Sequence, residues 1–231
     1  MVYKKHEMDI MISAHDSNEY VNVISHLTGA ILSLAGIAVL LVLSAKQDKC
    51  AHVVCFSIYG ATLTLSLFAS FVLHFNLMLD KYSRALGVLD HTAIYLLIAG
   101  SYTPFCLLVL KGPLGWSLFG VIWGLAGVFV TAKALFFSRI SKTLSLTSYL
   151  LIGWPAIFFV NPIYSKLSLG GLIVLILSGL LYTGGAIIFN TEKPNPWPPY
   201  FGHHEIWHVM VLLGNLAMYV VMLLYVLPYK A

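Results

Sequence analysis

Seven stretches of the chain are apolar over a length that can cross a bilayer as a helix: about 23–44, 53–75, 87–110, 115–136, 144–161, 167–189 and 204–227. The connections between them are short and leave no room for a second domain. The pattern therefore predicts an all-α integral membrane protein, with residues 1–231 forming a single seven-transmembrane helix bundle preceded by a polar segment over 1–22. That segment, MVYKKHEMDIMISAHDSNEY onward, lacks the apolar run and small-residue cleavage site of a signal peptide, so the first spanning helix is expected to direct insertion. One loop stands apart. Asn190 to Gly202, NTEKPNPWPPYFG, carries four prolines, which forbid helix and favour an extended path, with Trp197 and Tyr200 suited to a membrane interface.

Composition agrees with this pattern. Hydrophobic residues make up 59% of the chain and charged residues 10%, which excludes an ordinary soluble domain. The 13 Lys and Arg against 9 Asp and Glu form no basic run, so nucleic acid is not expected as a partner, and their use is to set topology. Alternate connections hold eight on one side (Lys4, Lys5, Lys81, Arg84, Lys133, Arg139, Lys142, Lys193) and five on the other (Lys46, Lys49, Lys111, Lys166, Lys230). The bias places the N-terminus in the cytoplasm and, after seven crossings, the C-terminus outside. Cys50, Cys55 and Cys106 lack the spacing of a zinc or redox site and read as reduced, apolar filler.

The polar residues inside the apolar segments carry the chemistry. Ionisable groups at membrane depth are costly, so the default reading of such a group is a functional one. His204 and His208, four apart at the start of the seventh segment, share one helix face about one turn apart, as a pair of imidazoles on one metal ion requires. His74 ends the second segment, and Asp90 and His91 open the third. With seven crossings these ends lie on one side, by the charge count the cytoplasmic one. Glu19, Asn22 and His26, at i, i+3 and i+7, add a polar face from the first segment at the same level.

His74 is thus the third candidate ligand, and Ser70, one turn earlier on the same face, supports it or contacts substrate. Three imidazoles suit Zn2+ and leave a fourth position for water. Asp90 can hold that water and accept its proton, which near-neutral titration of a zinc-bound water makes feasible without bulk base. Competing roles stand beside these: Asp90 as a helix N-cap, Ser70 as a packing residue, and His26, His91 and His203 as interfacial or supporting groups. The run His204-Glu205-Ile206-Trp207-His208 also satisfies the HExxH pattern of zinc proteases, but His74 and Asp90 already furnish a ligand and a base. A pore or proton-coupled carrier would need a polar face across the whole membrane, and the far halves of these segments are nearly free of ionisable groups. A retinal protein is disfavoured because 204–227 contains no lysine.

Taken together, these residues resemble the hemolysin III family, the bacterial branch of the progestin and adipoQ receptor family. The matching pieces are Glu19-x-x-Asn22-x-x-Ser25-His26, Ser70-x-x-x-His74, Asp90 with the AGSYTP run at 99–104, and Gly202-x-His204-Glu205-x-x-His208, spanning essentially the whole bundle. The resemblance implies a cytoplasmic N-terminus and a zinc ion on the cytoplasmic side held by His74, His204 and His208, with Asp90 matching the water-holding aspartate. The receptor branch is linked to ceramide hydrolysis, and bacterial members to membrane-lipid homeostasis; the long N-terminal domain of the receptors is missing from this sequence, and the family name is not evidence of a pore. The reading that follows is a zinc-dependent hydrolase of a lipid-like amide in the bacterial plasma (inner) membrane, with membrane lipids as its partners. The principal rival is a non-enzymatic sensor of membrane state with a structural zinc.

Overall fold

A computed structural model describes residues 19–229; the polar run over 1–18, with Lys4 and Lys5, and Lys230 of the charge count lie outside the described residues. Helices are α1 (Glu19–Ala45), α2 (Cys50–Met78), α3 (Arg84–Pro104, continued by a π-helical turn Phe105–Leu110), α4 (Gly112–Phe136), α5 (Lys142–Gly153), α6 (Val160–Thr191) and α7 (His203–Val221, continued by a π-helical turn Met222–Val226). Short 3-10 turns, Phe137–Arg139 and Trp154–Phe159, follow α4 and α5. No strand occurs among the described residues.

Six helical stretches are long and apolar enough to cross a membrane, where the sequence pattern predicts seven. The difference lies in 142–191, one stretch of 50 residues that contains both predicted segments 144–161 and 167–189. Straight, it would measure about 75 Å, more than twice the hydrocarbon thickness. It is not straight. Ser168, the second residue of the predicted segment 167–189, leaves helical geometry at φ 66°, ψ 169°. Lys166 fixes the chain beside that break by donating to the carbonyls of Val109 and Leu110 at 2.6 and 3.2 Å, which ties it to the end of α3.

The other predicted segments match the helices with ends displaced by a few residues. Polar residues account for much of the displacement at the N-terminal edges. Glu19 and Asn22 extend α1 beyond its apolar run because the bundle takes up their side chains, which are 8% and 0% exposed. Asp90 lies about two turns inside α3, whose N-cap position is Ser83, so it does not cap the helix.

Neighbouring helices pack in chain order, α1 on α2, α2 on α3 and α3 on α4, while α7 packs on both α6 and α1. Close approach needs small residues. A Cβ on Gly100 of α3 would collide with the Thr62 side chain of α2, so these two helices meet at van der Waals limit. Outward faces carry the apolar belt that lipid covers, including Ile24, Ile31, Leu32, Val121, Val128 and Leu180, all exposed. Of the loop expected over 190–202, Asn190 and Thr191 instead finish α6, and 192–202 is non-helical, with Trp197 and Tyr200 exposed at 73% and 71%.

Candidate metal centre

The helix-end residues converge. His74 near the end of α2, and His204 and His208 in the first turns of α7, each offer one donor atom, and the three atoms lie within 4.8 Å of one another. Ring centroids are 5.1 Å apart for His74 and His204, 4.7 Å for His74 and His208, and 5.0 Å for His204 and His208. His74 and His208 are buried and His204 half-buried, so the triad is removed from bulk solvent. Helical geometry explains the α7 pair, because positions four apart stack on one face.

His74 is oriented from behind. Its Nδ1 lies 2.6 Å from Oε2 of Glu19, which fixes the ring and leaves Nε2 as its remaining nitrogen. A carboxylate on the far nitrogen of a ligating histidine is the usual support of a metal site. The Nδ1 atoms of His204 and His208 are buried without a hydrogen-bond partner among the described residues. Leaving ring nitrogens unpaired in a buried place is costly, and imidazoles gathered this way are chemically suited to hold a metal ion.

Around the triad, Ser70 lies beside the Asp90 carboxyl, and Asp90 lies close enough to His74 to interact with it electrostatically. Ser70, Asp90, His74, His204 and His208 all line one cavity of about 900 Å³. Its wall is otherwise largely apolar, with Leu97, Ile98, Leu146, Leu172 and Leu175 among its residues, so it suits a hydrocarbon chain.

His26 also reaches the centre. Its ring packs against His208, tilted by 37° with centroids 3.9 Å apart, and neither of its nitrogens has a partner among the described residues. It is nonetheless outside the set whose donor atoms converge. Asn22, one turn earlier, is fully buried with both amide atoms unpaired. The other sequence candidates are engaged elsewhere. Glu205 accepts from the Gly202 amide at 2.7 Å and so caps α7, and it is not among the residues of the cavity wall. His203 meets Asn195 of the preceding loop at 2.9 Å, and the His91 carbonyl accepts from Tyr149 at 3.0 Å.

Lys133 belongs to the same cavity, although the sequence pattern uses it only as a topological charge. It is 3% exposed and donates to Ser145 at 2.7 Å. The signal was its position, a cation flanked by apolar residues inside the 115–136 segment. At the cavity rim Lys142 pairs with Glu192 at 2.5 Å, which holds the Glu192 carboxyl below its ordinary range.

Comparisons with known proteins agree along the whole bundle. A family model described as "Haemolysin-III related" matches residues 14–219. Hemolysin-3 of Bacillus cereus is 40% identical over 210 residues, 91% of this chain and 92% of that one. The hemolysin-3 homolog of Bacillus subtilis (strain 168) is 38% identical over 207 residues, 90% and 93% of the two chains. A more distant relative, the human monocyte to macrophage differentiation factor, is 27% identical over 188 residues, 80% of this chain and 75% of that one.

Proposed function

The chain belongs to the haemolysin-III related family, and from that premise we propose that it is a zinc-dependent membrane hydrolase cleaving a lipid-like amide. The observation that carries the reading is the buried His74, His204 and His208 triad set in the wall of a largely apolar cavity together with a carboxyl group, Asp90. Four-coordinate zinc with nitrogen bonds near 2.05 Å holds its imidazole nitrogens about 3.4 Å apart. Separations within 4.8 Å reach that spacing by small side-chain adjustments. When bound, zinc supplies a Lewis acid and brings the pKa of a coordinated water near 7.

The chain's own residues do the rest. Glu19 keeps the His74 ring in place, and Ser70 stands beside the Asp90 carboxyl in the same wall. Asp90 accepts the proton of the attacking water and returns it to the leaving amine as the C–N bond breaks, yielding a fatty acid and an amine. The apolar wall holds the acyl chain and excludes water from everything but the reacting bond. In this reading the chain crosses the membrane seven times, 142–191 providing two crossings on either side of the Ser168 break, and the site faces the cytoplasm.

A second reading has one observation in its favour. His26, its ring centroid 3.9 Å from that of His208 and both its nitrogens unpaired among the described residues, can complete a closed four-histidine site. Such a site would be structural and the protein a sensor of membrane state. Zinc-loaded protein in micelles, given an N-acyl sphingoid lipid and assayed for released fatty acid by mass spectrometry, separates the two. Turnover that falls by about 10²–10⁴-fold in Asp90→Asn, with zinc content retained, supports the hydrolase. No release by the zinc-loaded wild type favours the sensor.

A further inference from the structure

Lys133 is the cation that the hydrolytic reading leaves without a task. An ammonium group has three N–H donors, and Lys133 spends one on the Ser145 hydroxyl at 2.7 Å. The Phe137 ring lies 5.0 Å away, and Asp90 is the carboxylate whose field reaches the ammonium. No carboxylate among the described residues lies within ion-pair distance of it, so a buried charge keeps donors to spare in the cavity wall. Such a group is expensive unless a further acceptor meets it.

The neighbouring charges share its sign. Arg139, on the turn after α4, lines the same cavity, is exposed, and makes no ion pair among the described residues. Lys142 lines it too, with Glu192 as its partner. Of the acidic groups in the wall, Glu19 is bonded to His74 and Glu192 to Lys142, which leaves Asp90 as the remaining carboxyl against two cations of the wall, Lys133 and Arg139. The balance along the Lys133 and Arg139 edge is positive, while the rest of the cavity is built for hydrocarbon.

We propose that Lys133, with Arg139 at the rim, is a subsite for the phosphorylated headgroup of an anionic lipid whose acyl chain fills the apolar part of the cavity. Lysine binds phosphate as a point charge, and Arg139 adds a forked donor set. The inference rests on the hydrolytic reading in one respect: it makes the substrate an anionic acyl lipid, with its carbonyl toward the histidines, in place of a neutral one. If Lys133 serves only as an internal counter-charge for Asp90, charged and neutral lipids bind alike.

The test uses the full chain in neutral detergent and two probes with identical chains, dioleoyl phosphatidic acid and dioleoylglycerol, titrated by native mass spectrometry. Wild type should bind the phosphate lipid at least about tenfold more tightly, the scale of one charge-assisted contact. Lys133→Met should bring the two lipids level, and Lys133→Arg should keep the preference. Equal binding by wild type, or an unchanged preference in Lys133→Met, overturns the proposal. Should Lys133→Met fail to yield monodisperse protein, the exposed Arg139→Gln decides, a weakened preference supporting the subsite and an unchanged one overturning it. Zinc content and amide hydrolysis are read on the same preparations. Hydrolysis of a neutral lipid without phosphate preference defeats this subsite alone, whereas phosphate preference without any hydrolysis defeats the hydrolytic reading alone.

Discussion

The two ends of α2 hold a histidine each, and the bundle uses them in opposite ways. His52, fully buried, and His74, 3% exposed, are 22 residues and so about 33 Å apart along the helix. At the His52 end, polar side chains complete the backbone. The His52 Nε2 meets the Val226 carbonyl at 3.2 Å, Lys49 donates to Leu227 at 2.5 Å, and Lys166 donates to Val109 and Leu110. These carbonyls close the π-helical turns of α3 and α7, where the ordinary helix ladder has run out and cations near the helix end are favoured. At the His74 end, side chains meet one another, and nitrogens of three neighbouring histidines, His26, His204 and His208, stay unpaired among the described residues, where the other end has a single unpaired ring nitrogen, the Nδ1 of His52. Burial of a histidine at membrane depth therefore does not mark a site by itself. The partner does.

That contrast is easiest to break with the triad. His208→Ala should take zinc from about one per chain to background, with helicity retained, by elemental analysis and circular dichroism. Zinc retained in the variant would place the metal elsewhere. Glu19→Gln is expected to weaken zinc binding by about 10–100-fold, because it removes the carboxylate behind His74 and leaves the ligand itself. Competition with a chromophoric chelator reads that shift, and an unchanged affinity would reduce Glu19 to a packing residue. At the opposite end, His52→Leu should leave zinc content intact and lower stability by about 1 kcal/mol, the scale of one hydrogen bond. Loss of zinc in His52→Leu would erase the distinction between the ends.

Much of this was legible in the chain, and the remainder was not for definite reasons. Apolar run length located the long apolar helices, six stretches in place of the seven expected, because lipid imposes a minimum length on a crossing. Four-residue spacing announced His204 and His208, since helical geometry is local. The third member, His74, could be joined to them only through agreement of level. Distances across helices are tertiary, so neither the Glu19 bond to His74 nor the ring contact of His26 with His208 can be read from spacing within one helix. Glu205 shows the same limit. Its HExxH pattern is satisfied in sequence, while its carboxylate caps α7. The division of 142–191 was visible as an interruption in apolarity, but its form, a single residue at positive φ held beside the end of α3, depends on Lys166 reaching across the bundle.

The central claim is a three-histidine site with one coordination position open to water, and X-ray absorption at the metal edge of zinc-loaded protein tests it most directly. The account predicts three imidazole nitrogens and one oxygen near 2.0 Å, a pattern unchanged in His26→Ala. Four imidazoles in the wild type, falling to three in His26→Ala, would contradict it and make the centre structural.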